Sequence, residues 1–175
     1  MKRIKIFLSV IFAIAFTQAY AQTDKETTAK IITDQRYTFN ANTALPMANN
    51  EINQILRSMP GAMGGGTINL TGSQYDLKVT KDSVVAYLPY YGRAFNAPYN
   101  PTEGGIKFKS KDFSYKLSKN KKGSYTVNIR TNDLKQENYQ LTLMVSQNGY
   151  ANLFVFSNNK QSINFQGDLA EPKKD

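Results

Sequence analysis

Two Asn-led dipeptides near the C-terminus, Asn148-Gly149 and Asn158-Asn159, constrain the fold more than any other feature of this chain. Such pairs tolerate positive φ, which a two-residue β-hairpin turn demands. A two-residue loop at Asn148-Gly149 sets Gln147 against Tyr150, and therefore Leu143 against Phe154 and Leu141 against Phe156. A second at Asn158-Asn159 sets Ser157 against Lys160, Ile163 against Phe154 and Phe165 against Asn152. Both registers put Leu141, Leu143, Val145, Phe154, Phe156, Ile163 and Phe165 on one face of a three-stranded meander. A one-residue slip would turn these side chains outward, so the agreement specifies a register.

The rest of the chain from Gly72 onward reads the same way. Tyr75, Leu77 and Val79 alternate with Asp76, Lys78 and Thr80, and Lys81-Asp82 turns the chain into a strand over Ser83 to Pro89. Ile106 and Phe108, then Phe113, Tyr115 and Leu117, then Tyr125, Val127 and Ile129 alternate with polar neighbours. Period-two alternation with one polar face suits antiparallel strands with one side toward water. Arg36 to Asn40 adds a first strand. The expected fold is mainly β, an up-and-down antiparallel meander of about eight or nine strands closing into a small barrel or a strongly curved sheet. Two stacked sheets are the alternative.

One or two short N-terminal helices accompany it. Residues 22–35 hold a helix candidate over Thr23 to Thr33, behind a polar cap. Asn50 to Met59 has Ile52, Ile55, Leu56 and Met59 at helical spacing, with Pro60-Gly61 as its stop. Gly61 to Gly66 reads as a flexible loop; without a following Lys-Ser/Thr it is no phosphate cradle.

Residues 1–21 read as a signal peptide. Lys2, Arg3 and Lys5 precede an apolar run from Ile6 to Phe16, and Ala19-Tyr20-Ala21 offers small residues for cleavage. That run is shorter than the roughly 20 residues a spanning helix needs. Residues 22–175 then form a single β-rich domain, with 169–175 as a flexible tail. A domain of this length buries enough surface to stand without disulfides, and the chain has no Cys to make them. The expected location is exported, periplasmic or extracellular, soluble and not lipid-anchored through Cys.

The net charge of +9 includes the three leader cations; without them 19 basic and 13 acidic side chains leave +6. This permits weak attraction to anionic surfaces. The lysines are scattered, with one tight cluster at Lys119, Lys121 and Lys122 beside Gly123, a hairpin tip. Nucleic acid is not an expected partner of an exported chain.

The chain has no His and no Cys. That removes Ser-His-Asp and Cys-His nucleophilic sites and zinc or haem held by those ligands. No cofactor and no metal site are expected, and Asp133 with Glu137 reads as a solvated loop. A carboxylate-dependent glycan hydrolase would need two acids in one cleft, whereas Asp76, Asp82, Glu103, Asp112, Asp133, Glu137 and Asp168 fall mainly at turns and strand ends. The expectation is therefore no enzyme. Asn69-Leu70-Thr71 and Asp82-Ser83-Val84 match short glycosylation patterns that plain turns also satisfy.

The aromatic stretch YLPYYGRAFNAPYN, Tyr87 to Asn100, holds the candidate site: Tyr87, Tyr90, Tyr91, Arg93, Phe95 and Tyr99. Tyrosine rings on a rigid frame suit carbohydrate or peptide binding, and Arg93 is placed to stack on one of them. The alternative is a lid over an open barrel end.

The segment YDLKVTKDSVVAYLPYYGRAFNAPYN (Tyr75 to Asn100) resembles the central motif of the bacterial family catalogued as domain of unknown function 4251. GYANLFVFSNNKQSINFQG (Gly149 to Gly167) is similar to its closing motif, and RYTFNANTALPM (Arg36 to Met47) to its opening strand. The resemblance implies an exported domain of Bacteroides-like bacteria and supplies no activity. Some members look like lipoproteins, from which this Cys-free chain departs. The expected function is an exported, non-enzymatic β-domain binding a small ligand, glycan or envelope protein, with a structural role in the envelope as the alternative.

Overall fold

The computed structural model describes residues 23–47, 62–63, 66–96, 104–135 and 137–172. The helix candidate at Asn50–Met59 lies outside them. Asp24 starts the first element, α1 (Lys25–Thr33), by accepting hydrogen bonds from the Glu26 and Thr27 amides, each at 2.9 Å. Its end is a paired-carbonyl cap: Arg36 N–H reaches Ile31 O at 2.9 Å and Gln35 N–H reaches Ile32 O, with Gln35 at φ 52°. Thr28, Ile31 and Ile32 are buried, so one stripe of this short helix faces the core.

The strands are β1 (Tyr37–Pro46), β2 (Ala62–Met63), β3 (Thr67–Asn69), β4 (Asp76–Val79), β5 (Val84–Leu88), β6 (Ile106–Ser110), β7 (Phe113–Lys119), β8 (Tyr125–Thr131), β9 (Tyr139–Val145), β10 (Tyr150–Ser157) and β11 (Ile163–Ala170). Nine follow one antiparallel path, β6-β5-β4-β1-β11-β10-β9-β8-β7, in a nearly closed barrel-like sheet. This is one curved sheet rather than two stacked ones. The small β2–β3 hairpin attaches to β1, so Ala62 and Met63, expected in a loop, pair with Ile68 and Thr67.

The order is the circular order of an up-and-down barrel. Its unpaired seam lies between β6 and β7, because β1 zips to β11 from Thr38↔Ala170 to Pro46↔Ile163. Leu169 is therefore buried in a strand; it and Ala170 are not part of a flexible tail. At the seam, Ser110 Oγ donates to Asp133 Oδ1 (2.6 Å), the Lys111 amide to Asp133 Oδ2 (2.8 Å), and Phe108 stacks on Tyr139 with centroids 4.5 Å apart.

Inward side chains fill the barrel: Tyr37, Phe39, Leu77, Leu88, Leu143, Leu153 and Phe165 are each essentially solvent-free. Strands β9 and β11 present the expected residues inward, but β10 is turned over. Leu143 pairs with Leu153 and Leu141 with Val155, which leaves Phe156 48% exposed and Phe154 on the outer side. The cause is a loop one residue longer than expected. Val145 pairs with Ala151, the Ser146 amide bonds Tyr150 O at 2.8 Å, and Gly149 takes φ 80° as the third residue of a three-residue turn. Likewise Val155 pairs with Ile163 and Leu153 with Phe165, so Asn158-Asn159 belongs to a wider loop.

Candidate functional site

The aromatic stretch divides between two places. Strand alternation sends Val84, Ala86 and Leu88 inward and leaves Tyr87 on the outer wall, 47% exposed. Beyond Leu88 the chain crosses the barrel end opposite α1 and meets the β10–β11 loop. Ala94 bridges to Lys160, Phe95 N–H donates to Asn159 O at 2.8 Å, and Gln161 N–H donates to Arg93 O at 3.0 Å. The Tyr90 hydroxyl lies 2.7 Å from Arg93 O and 2.9 Å from Gln161 O, which share its one proton. Gly92 makes that fold-back feasible, since a Cβ there would sit 2.5 Å from the Tyr90 hydroxyl.

Under this latch lies a small polar network. Glu137 accepts from Lys160 Nζ at 2.5 Å and from Ser157 Oγ, which in turn accepts from the Asn159 amide at 2.9 Å. Burial pushes the Tyr90 hydroxyl up to about 12, with the Glu137 carboxylate adding to it against the opposing Gln161 bond. Tyr139 is raised by the same two causes, burial first. Both phenols stay protonated and act as hydrogen-bond donors at neutral pH.

Of the expected site residues, Tyr90 is thus a latch, and Tyr91 is half-buried, its hydroxyl raised by burial and then by Tyr75. Arg93 is exposed and its carbonyl serves the latch. Phe95 is 65% exposed and held through its backbone. Tyr99 lies outside the described residues. The five that are described do not form one cluster.

The second place is the outer wall of β1, β4 and β5. Tyr75, just before β4, lays its ring against Tyr87, with centroids 5.8 Å apart and planes at 24°. Lys107 Nζ stands 5.1 Å from the Tyr87 centroid, within cation–π range. Beside this platform runs an open groove of about 630 Å³ whose lining includes Arg36, Asn40, Gln74, Asp76 and Lys78. The two are contiguous: Asp76 lines the groove and is the cross-strand partner of Tyr87. Asp76 and Lys78 also pair at 3.4 Å, a surface contact that adds little stability.

Reading the strands alone missed Tyr75, Lys107 and the groove. Tyr75 sits in phase with the inward Leu77 and Val79, so alternation points it to the core. It lies just before β4, where its carbonyl takes the Ala41 amide at 2.9 Å, and its half-buried ring packs on the edge of the core and also meets Tyr87. The signal that was present is the outward phase of Asp76 and Lys78 opposite Tyr87.

Several of the described acids serve structure. Asp24 caps α1, Asp168 accepts from Asn42 Nδ2 at 2.6 Å, Asp112 from Asn132 Nδ2 at 3.0 Å, and Glu137 holds Lys160 and Ser157. Asn69 Oδ1 accepts from the Thr71 amide, and Thr80 Oγ1 from the Ser83 amide, so both glycosylation-like triplets form local turns.

Among known proteins, the family model described as a domain of unknown function (DUF4251) matches residues 19–169. The crystal structure of a DUF4251 family protein from Bacteroides eggerthii is similar at a TM-score of 0.55 and 15% identity, covering 84% of this chain and 87% of that one. No curated protein matches.

Proposed function

For this chain, which belongs to the DUF4251 family, we propose the role of an exported, non-catalytic binding domain that takes a glycan on the outer wall of its barrel. The observation that carries this reading is the Tyr75–Tyr87 stack set beside a polar groove. A sugar ring has an apolar C–H face, which packs on a tyrosine ring, and a rim of hydroxyls, which needs donors and acceptors together. Asp76, Asn40, Gln74 and Arg36 supply both at one edge of the platform. The groove's volume falls in the range of small-ligand sites, about 300–1,000 Å³, while its polar lining suits a hydrated ligand over a greasy one.

Export is supported by the basic start, apolar run and small residues of the first 21 positions. Among the described residues no helix is long and apolar enough to cross a membrane. A non-catalytic role is supported by the lack of His and Cys and by the structural employment of the acids above. A second reading, a protein contact within the envelope, draws support from Met144, Tyr150 and Phe156, which are 40–48% exposed on the outside of β9 and β10.

The test is titration calorimetry with soluble peptidoglycan fragments and neutral oligosaccharides. A saccharide should bind, and Tyr87→Ala and Asp76→Asn should each weaken it at least tenfold without changing the melting temperature by more than a few degrees. Binding of no saccharide, or equal binding by both variants, would reject the glycan reading.

A further inference from the structure

The mature chain's positive charge is not spread over the barrel. Eight of the 19 cationic side chains beyond the leader, and only one of the 13 carboxylates, lie within residues 107–131; the remainder carries 11 against 12. Those residues are the seam strands β6 and β7 together with β8. We infer that this side of the barrel is an adsorption face for a membrane surface rich in anionic lipid headgroups. The inference goes beyond the glycan site and does not depend on it.

Strand phase puts the charges outside. Lys107 and Lys109 on β6, Lys116 on β7 and Arg130 on β8 are all exposed, while Ile106, Val127 and Ile129 between them are buried. The β7–β8 hairpin extends the face with exposed Lys121 and Lys122 at its tip. That tip is held in shape. Asn120 Oδ1 accepts from the Lys122 and Ser124 amides, each at 2.9 Å, and Gln147 Nε2 donates to Lys122 O at 2.6 Å. Within these residues the one acid, Asp112, is engaged by Asn132, and Asp133 just beyond them accepts from Ser110 and the Lys111 amide; two ion pairs, Lys78–Asp76 and Lys160–Glu137, lie elsewhere.

The chemistry favours a lipid surface over a specific anion. Seven of the eight cations are Lys, point charges that attract a diffuse layer, where Arg forks would suit bidentate recognition of one carboxylate or phosphate. Met144, 48% exposed and paired with Thr126 in the outward phase of neighbouring β8, adds apolar surface to this side.

Vesicle co-sedimentation tests this with the purified protein. It should pellet with phosphatidylcholine vesicles containing about one-third phosphatidylglycerol and not with phosphatidylcholine alone. Binding should vanish when salt is raised toward 1 M, where the Debye length shrinks to about 3 Å. The exposed-surface variant Lys116→Glu/Lys121→Glu/Lys122→Glu should bind at least tenfold more weakly. A control with the same charge change elsewhere, Lys25→Glu/Lys81→Glu/Lys135→Glu, should lose less than threefold. No binding to anionic vesicles, or equal losses in the two triple variants, overturns the inference. So does capture by soluble dextran sulfate without vesicle binding, which would make the partner a polyanionic glycan.

Discussion

Among the described residues, the two ends of the barrel are capped in different ways. At one end, α1 presses Thr28, Ile31 and Ile32 into the core, and Tyr115 donates to Ile32 O at 3.1 Å while its hydroxyl lies 3.5 Å from that of buried Tyr37. At the other, the 90–96 segment is pinned to the β10–β11 loop by backbone hydrogen bonds, the Tyr90 hydroxyl and the Glu137–Lys160 pair. The first closure removes apolar surface from water and locks shape. The second adds polar bonds to the half-buried rings of Tyr90 and Tyr91, which pack on the core, and leaves Phe95 open to solvent.

The sharpest test of that contrast is Ile32→Ala. Ile32 is fully buried, and truncation of such a side chain costs about 2–5 kcal/mol; denaturant unfolding should show a loss in this range. Tyr90→Phe should cost only about 1 kcal/mol, the net value of one hydrogen bond. Its signature is local: the Phe95 and Gln161 amides should exchange with deuterium faster while core amides stay unchanged. If Tyr90→Phe proves as damaging as Ile32→Ala, the two ends are not differently built.

The smallest effect belongs to a third closure, the seam. Hydrogen bonds from Ser110 and from the Lys111 amide hold the Asp133 carboxyl at about 2, below its usual 3.8. A lowered folded-state pKa means a contribution present in full above the unfolded value and lost as pH falls through the folded one. Stability should therefore decline between about pH 4 and pH 2, and Asp133→Asn should flatten that segment of a melting-temperature profile relative to the native chain.

These closures were unequally legible in the amino acids. Alternation identified β4, β5, β8, β9 and β11 because their inward residues are apolar and their neighbours polar. It failed at β10, where Leu153 and Val155 on one face compete with Phe154 and Phe156 on the other, so only the turn could decide. That turn depended on whether Gly149 served as the second loop residue or the third, a difference that no local propensity resolves. Tyr87 could be placed outward from its own strand. Its stacking on Tyr75 and the union of Tyr90 with Gln161 join separate stretches of chain through packing. A crowded aromatic run therefore read as one site where the fold made two.

The seam's position also sets when the molecule can be finished. The first strand is zipped to the last, with Asn42 and Asp168 bonded across 126 positions and Thr23 reaching Leu169 across 146. Local hairpins can form early, but the ring cannot shut until both extremities of the sheet have arrived. Contacts of such long sequence separation slow folding. A chain still being synthesised is thus obliged to remain open, with β1 lacking its longest-paired neighbour, until β11 has been made.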